Sequence, residues 1–429
     1  MHSSVKNQNP QLINKILKSL FYFVSLLMFI SLSYAQSFIN QIGKTNAFLV
    51  TWGIFFVIFS IYLVYEPKAI MRFFKTTMGR AIMTLLLCVF YVAVYFNPHW
   101  IKGWILLCSP LSELLNGSPA DQWFLYSLLY TYLVLIFAYS SWCNHGSTLY
   151  HKWRTISVAF FQLAFAFLLP NILKGMQLPD FYFTYFWPLK PDYLLPFDYI
   201  IHPQTGLAAA EINGFAIGRA MLLWGILMSV VATPILTYYF GKRWYCSWVC
   251  GCGALAETFG DAWRTETPKG KTAWVLERYS IYLCLLLTII ATIFLWYNEY
   301  SGRTILGNDG AQWFWGGYGL WITMIFSGVI GVGFYPLFGS RVWCRFGCPQ
   351  AAILGILQRF FSRFRITTNG GQCVSCGQCS AHCEMGIDVR AYAQEGDVIL
   401  RASCVGCGVC ASVCPRGVLR LENKKDLSN

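Results

Sequence analysis

The sequence predicts a polytopic α-helical membrane protein of about eight spans that ends in a small cysteine-rich α+β domain. Three observations predict it. The 429 residues are 56% hydrophobic and only 12% charged, and a mean hydropathy of +0.49 excludes an ordinary soluble enzyme. Apolar runs as long as a bilayer is thick recur through most of the chain. The C-terminal segment then carries eight of the 17 cysteines, in two runs of identical spacing.

Runs long enough to span fall at 17–35, 47–65, 80–97, 123–141, 155–172, 214–240, 279–297 and 316–338. The first, KILKSLFYFVSLLMFISLSYAQS, has a basic start, an apolar middle, and small residues Ser33 and Ala35 at signal-peptidase spacing. Residues 1–35 are therefore a first span or a signal peptide, and in both cases the chain emerges on the outer face. Residues 36–213 follow as an N-terminal membrane bundle, with its longest outer loop near 173–213. Residues 214–365 form a membrane core, 366–422 the cysteine-rich domain and 423–429 a polar tail.

Basic residues orient the spans. With the N-terminus inside, the inner segments before the last span hold fifteen lysines and arginines, against Lys44, Lys102, Lys174, Lys190 and Arg303 outside. This positive-inside bias assigns both termini and the cysteine-rich domain to the cytoplasm, with the N-terminus outside if a signal peptide is cleaved, and the membrane is read as a bacterial inner membrane. The net charge of +13 thus follows loop parity. No basic helix or aromatic RNA-binding motif accompanies it, so no nucleic-acid partner is expected.

CVSCGQCSAHC, from Cys373 to Cys383, and CVGCGVCASVCP, from Cys404, both read C-x2-C-x2-C-x3-C. This is the spacing of iron-sulfur ligation, in which three thiolates two residues apart wrap a cubane and the fourth points away. Residues 366–422 accordingly resemble a two-cluster bacterial ferredoxin-like domain. The resemblance implies two 4Fe-4S clusters, one on Cys373, Cys376, Cys379 and Cys414, the other on Cys404, Cys407, Cys410 and Cys383. Gly377 and Gly408 follow the second cysteine of each run, where a missing side chain lets backbone approach sulfur. Pro415 fits the pattern, whereas Glu384 stands at the matching position of the first run, a departure able to shift a potential. Paired zinc sites and disulfides are the alternatives.

A second repeat lies upstream. YFGKRWYCSWVCGCGALAE from Tyr239 and LFGSRVWCRFGCPQAAILG from Leu337 share F-G-x-R-x-aromatic-C-x3-C at an offset of 98 residues, at the inner ends of the sixth and eighth spans. Cysteines four apart fall on one helix face. On that basis Cys246, Cys250, Cys344 and Cys348 present four thiolates to a shared redox or metal centre at the membrane face. Arg243 and Arg341, beside the headgroups, offset part of the charge. Redox-active dithiols and plain packing are the other readings. Gly251 stands where the second motif has Pro349, and Cys252 adds a thiol without a counterpart, since position 350 is Gln350.

Paired C-x3-C motifs followed by a two-cluster segment resemble the NapH/NosR/CcoG-type membrane polyferredoxin family, across roughly residues 214–422. The resemblance implies membrane electron transfer through iron-sulfur centres, with a quinone pool or a partner redox protein at one end. A copper-reducing assembly factor and a redox sensor are the rival functions. No acid, base or nucleophile constellation is visible, so no catalytic residue is assigned, and any oxidoreductase role is that of a quinol-linked electron-transfer subunit. His99, His145, His151, His202 and His382 form no pair suited to a transmembrane haem, and no haem is expected. Cys88, Cys108, Cys143 and Cys284 read as packing residues, and Arg219 as a snorkelling side chain.

Overall fold

The computed structural model describes residues 9–65, 72–145, 148–178, 181–194, 215–241, 243–301 and 316–423. His202, Arg303, most of the polar tail, and the side chains of His145 and Arg219 lie outside the described residues.

In chain order the first helices are α1 (Asn9–Ile42), α2 (Lys44–Tyr65), α3 (Thr77–Phe96), α4 (Lys102–Asn116), α5 (Gln122–His145) and α6 (Leu149–Gly175). After them come α7 (Ala220–Phe240), two short helices α8 (Trp244–Trp248) and α9 (Gly251–Glu257), α10 (Lys271–Ser301) and α11 (Gly316–Ile330). A second short pair, α12 (Val342–Phe346) and α13 (Pro349–Phe361), leads into strand β1 (Phe364–Thr368). Three brief helices, α14 (Gln378–Ala381), α15 (Val389–Glu395) and α16 (Val409–Ser412), precede β2 (Leu419–Asn423). The strands pair antiparallel, Phe364 opposite Asn423 and Thr368 opposite Leu419. The α+β ending is thus a two-stranded clip around helical loops.

Seven helices are long and apolar enough to cross a membrane: α1, α2, α3, α5, α6, α7 and α10. Phe23, Leu85, Leu223 and Trp321 face outward, as lipid contact requires. The eighth expected span is shorter. Among the described residues α11 ends at Ile330, and turns through Gly331 and Gly333 lead to a single helical turn, Tyr335–Phe338, that carries Pro336. Glycines and a proline in that stretch weaken helix continuation. Helix α1 runs unbroken through Ser33 and Ala35, and Ala35 is buried.

Two features depart from the sequence reading. Helix α4, taken as outer loop, packs against α1: the Trp104 indole donates to the Met28 carbonyl at 2.9 Å. Its 15 residues, with Pro110 and Glu113 inside, are too few and too interrupted to read as a span. The second departure is the expected outer loop 173–213. Its residues 181–194 fold back among the helices instead of staying outside. Trp224 of α7 donates to the Phe183 carbonyl at 3.1 Å, Ser229 of α7 to the Trp187 carbonyl at 3.1 Å, and the Trp187 indole to Thr292 of α10 at 3.0 Å. Irregular backbone at membrane depth survives only where such partners satisfy it.

One buried core joins the membrane and C-terminal parts. Tyr245, Cys246, Trp343, Cys348 and Leu354 pack continuously with Ile366, Met385, Ile387, Val405 and Leu419. The cysteine-rich domain is seated on the repeated motifs rather than tethered to them.

A Cβ on Gly103 of α4 would lie 2.1 Å from the Leu32 carbonyl oxygen of α1. Gly103→Val should therefore lower stability by about 1–3 kcal/mol through overpacking, read as a lower melting temperature in detergent, while Gly319→Ala in α11, where an added Cβ meets nothing within 4 Å, serves as the comparison.

Candidate iron-sulfur sites

The two C-terminal cysteine runs fold as copies related by 31 residues. Each needs left-handed backbone at three matching points: Ser375 and Gly406 (φ 59° and 68°), Gly377 and Gly408 (75° and 77°), Gly386 and Gly417 (65° and 61°). The glycines after the second cysteines are thus fixed by conformation, which only glycine adopts freely. They start α14 and α16, which turn the third cysteine of each run back toward the first two.

The loops enclose two cavities. Cys373, Cys376, Cys379 and Cys414 line one, and Cys404, Cys407, Cys410 and Cys383 line the other. Each cavity therefore combines three cysteines of one run with the fourth cysteine of the other. The donor chemistry fits a 4Fe-4S cluster: four thiols converge on apolar walls, and burial followed by neighbouring thiol charge pushes Cys383 up to about 12. Cationic iron would relieve that penalty. The first cavity faces outward, with Cys376 exposed, whereas Cys404 and Cys410 of the second are buried against the membrane part.

The upstream motifs also repeat in three dimensions, though not as one helix face. Helix α8 stops at Val249, and Cys250 is extended (φ −69°, ψ 130°) at the start of α9. Likewise α12 stops at Gly347, and Cys348 is extended (φ −77°, ψ 115°) at the start of α13. The amides of Cys250 and Cys348 bond to the carbonyls five residues back, Tyr245 at 2.9 Å and Trp343 at 3.0 Å, and this closes the break. Each pair therefore straddles a helix break. All four cysteines are buried, and burial together with the facing Cys344 and Cys250 raises the Cys246 thiol. Cys252 lies in the same group, and its thiol bonds to Cys250, lowering the Cys250 pKa.

Arg243 and Arg341, expected beside headgroups, are buried instead. Arg243 donates to the Cys344 carbonyl at 2.8 Å and, from Nε, to the Ala402 carbonyl at 3.0 Å. Arg341 donates to the Cys246 carbonyl at 3.1 Å, lies 3.9 Å from the Cys344 sulfur, and pairs with both Glu257 and Glu384. Glu257 also pairs with Arg154 of α6, and Glu384 with Arg264 at 3.2 Å. Burial opposes ionisation of Glu384, but the facing guanidiniums of Arg264 and Arg341 outweigh it and hold its pKa at about 2. Further bonds seat the second cavity: Ser247 to the Val405 carbonyl at 2.7 Å, Tyr150 to Gly406 at 2.7 Å and Arg154 to Cys407 at 2.6 Å. Glu257, Arg154 and Arg264 escaped the sequence reading, because no spacing ties an acid in CGALAE to arginines elsewhere.

On the other side of the thiols lies a cavity of about 630 Å³ within the bundle. Cys252, Tyr126, Tyr185 and Gln162 line it, with Lys174 and Lys190 at residues assigned outside by loop parity. Gln162 is buried, its Nε2 donates to Thr131 at 3.0 Å, and its Oε1 has no partner. A Cβ on Gly251 would lie 2.7 Å from that oxygen and 2.8 Å from the Tyr185 hydroxyl.

Known proteins share these parts. The 4Fe-4S dicluster domain matches residues 365–415, and a second family, the 4Fe-4S binding domain, matches twice, at 222–268 and 320–367. Each match of the second family covers one C-x3-C loop. With seven helices long and apolar enough to cross a membrane, they define a membrane protein that carries 4Fe-4S-type domains. The domains and named relatives support a membrane polyferredoxin-like family. The chain is 28% identical over 160 residues to YccM of Escherichia coli, whose name assigns it to electron transport, covering 34% of this chain and 43% of YccM. It is 26% identical over 166 residues to the methylamine utilization ferredoxin-type protein MauN of Methylobacillus flagellatus, 38% of this chain and 56% of MauN. An uncharacterized protein of Methanocaldococcus jannaschii is 28% identical over 185 residues, 42% of this chain and 65% of its own. The chain thus spans 43% to 65% of the length of these relatives. No solved structure matches significantly.

Glu257→Ala would take the carboxylate partner from the buried guanidinium of Arg154 and leave that of Arg341 with Glu384 alone. A loss of about 3–5 kcal/mol is expected, measured as a fall in melting temperature and in folded yield from membranes. Glu113→Ala, which breaks the exposed Lys44–Glu113 pair, should change neither.

Proposed function

We propose that this chain relays electrons between a membrane-side quinone pool, or a partner redox protein, and 4Fe-4S clusters on the cytoplasmic face of a bacterial inner membrane. One observation carries the reading: the bundle cavity, the group of five thiols and the second cysteine cavity adjoin one another in sequence through buried side chains. Cys252 lines the first, and Arg341 spans from Cys344 to Glu384, which lines the third.

Cys373, Cys376, Cys379 and Cys414 would hold an outer cluster, and Cys404, Cys407, Cys410 and Cys383 an inner one. When bound, such clusters accept and release single electrons with little structural change. The chain holds them in apolar walls, shields the inner one from water and exposes the outer one near Cys376 to a soluble partner. Cys246, Cys250, Cys344 and Cys348 would form a further redox or metal centre between cavity and clusters. On the membrane side, the size of the cavity, its tyrosines and the unpaired Gln162 oxygen suit a ring compound bearing hydroxyl groups, which favours a quinol over a protein partner. The cytoplasmic orientation is supported by Tyr150, Arg154, Arg264 and Lys269, all from segments that loop parity assigns inside and all packed on the cysteine-rich domain.

The test is anaerobic purification, iron and sulfide analysis, and a quinol-driven reduction assay. Cys376→Ser and Cys407→Ser should each impair one cluster and destabilise its neighbour, and Cys284→Ser should leave iron content intact. Cys344→Ser should stop quinol-driven reduction while both ferredoxin-type clusters stay assembled and reducible by dithionite. Gln162→Leu should weaken quinol-driven reduction with no loss of iron. Normal electron transfer in the Cys246→Ser and Cys344→Ser variants would sink the relay. Thiol-dependent copper binding without quinol turnover would favour the assembly-factor reading.

A further inference from the structure

The ion network at the junction does more than hold two parts together. Glu384 is fully buried, and its carboxylate lies 3.2 Å from Arg341 Nη2 on one side and 3.2 Å from Arg264 Nη1 on the other. Arg341 Nη1 stands 3.9 Å from the Cys344 sulfur, and Arg264 Nη1 stands 3.9 Å from the Cys407 sulfur. Each guanidinium has a second carboxylate of its own, Glu257 on Arg341 and Asp261 on Arg264 at 2.7 Å, and Glu384 is the carboxylate that the two cations share, each of them approaching a thiol of a different group. Its symmetry mate in the other cysteine run is Pro415, uncharged, and the outer cavity is lined by Arg390 and Arg416 with no carboxylate.

Adhesion alone does not account for this arrangement. Buried ion networks are often no more stabilising than apolar packing of the same volume, because desolvation offsets the Coulomb attraction. Neutral hydroxyl donors already supply adhesion: Thr267 donates to the Glu384 carbonyl at 3.1 Å, Ser247 to the Val405 carbonyl at 2.7 Å and Tyr150 to the Gly406 carbonyl at 2.7 Å. A fixed charge beside a cluster has a distinct consequence. Reduction adds negative charge, so a nearby carboxylate opposes it and a nearby guanidinium favours it.

Resting on the cluster assignment proposed above, we infer that Glu384 is a positioning residue. Through Arg264 and Arg341 it sets the reduction potential of the inner cluster, on Cys383, Cys404, Cys407 and Cys410, without affecting the outer one. Nothing in the reading requires Glu384 to touch a cluster or to exchange a proton.

The experiment is an anaerobic redox titration of the full-length protein in detergent, followed by electron paramagnetic resonance, with iron and sulfide counted in each sample. In Glu384→Gln, which keeps the shape and loses the charge, the inner cluster should become easier to reduce. Its reduction equilibrium constant should rise at least tenfold, about 59 mV for a one-electron couple, while the outer cluster stays put. Arg264→Gln should move the same cluster in the opposite direction, and Glu384→Asp should restore most of the original value. The inference is overturned if neither charge-neutral variant shifts a potential, if both shift it in the same direction, or if both clusters move equally. Loss of iron from both variants would also overturn it, since the network would then hold the domain without tuning it. Fewer than two clusters in the unaltered protein would instead remove the ligand assignment beneath the inference.

Discussion

The buried Arg341 guanidinium is the contact on which the rest of the structure depends. It rises from the second membrane motif, donates to a carbonyl of the first, approaches a thiol of its own, and shares two carboxylates, one from the membrane part and one from the cysteine-rich domain. An unpaired buried guanidinium would be severely destabilising, so the two repeats, helix α9 and the loop after Cys383 are constrained to meet at one point. That convergence packs the thiols of both motifs into one group and presses the inner cysteine cavity against them. Arg243, the equivalent residue of the first repeat, makes the reciprocal contact with the Cys344 carbonyl and reaches Ala402.

The two levels of repetition have different physical origins. In the cysteine-rich domain, paired left-handed residues bend each run around a cavity, and the exchange of fourth cysteines makes neither run complete without the other. In the membrane part, each repeat is a helix end, a left-handed glycine, a short helix, an extended cysteine and a new helix. The glycines there, Gly241 and Gly339, also sit where a Cβ would collide, with Ser362 and Phe364 in one case and Thr267 in the other. Ser362 and Phe364 belong to the chain leading to the cysteine-rich domain, and Thr267 donates to the Glu384 carbonyl of that domain at 3.1 Å, so both glycines admit segments that seat it.

Much of this was legible in the sequence. The apolar runs located seven helices, because bilayer thickness fixes length and composition together. Cysteine spacing singled out the eight cysteines that line the two C-terminal cavities and the four buried ones of the upstream motifs. Periodicity failed where tertiary contacts overrode it. Cys246 and Cys250 looked like one helical face, yet the chain breaks at Val249. Residues 181–194 looked like an outer loop, since nothing local reveals that Trp187 and Thr184 find partners on α7, α10 and Tyr245. The charged junction was invisible for the same reason: its members come from four separated segments, and pairing across such distances leaves no local pattern.

The departures from repetition are themselves informative. The first membrane motif differs from the second at Gly251 and Cys252, where the second has Pro349 and Gln350. Gly251 leaves the space that the Gln162 oxygen and the Tyr185 hydroxyl occupy, and its carbonyl accepts a bond from Tyr130 at 2.9 Å. Cys252 lines the bundle cavity, while the other four thiols of its group do not. Tyr185 belongs to the inward-folded loop, whose irregular backbone is tolerated at that depth because hydrogen bonds and the cavity satisfy it. A proline at 251 would fill the space and remove an amide, and a glutamine at 252 would remove the thiol facing the cavity. The pseudo-symmetry is therefore broken at the two adjacent residues that meet the cavity. This ties the cavity, the inward loop and the extra thiol into one feature, distinct from the paired cysteines that both repeats retain.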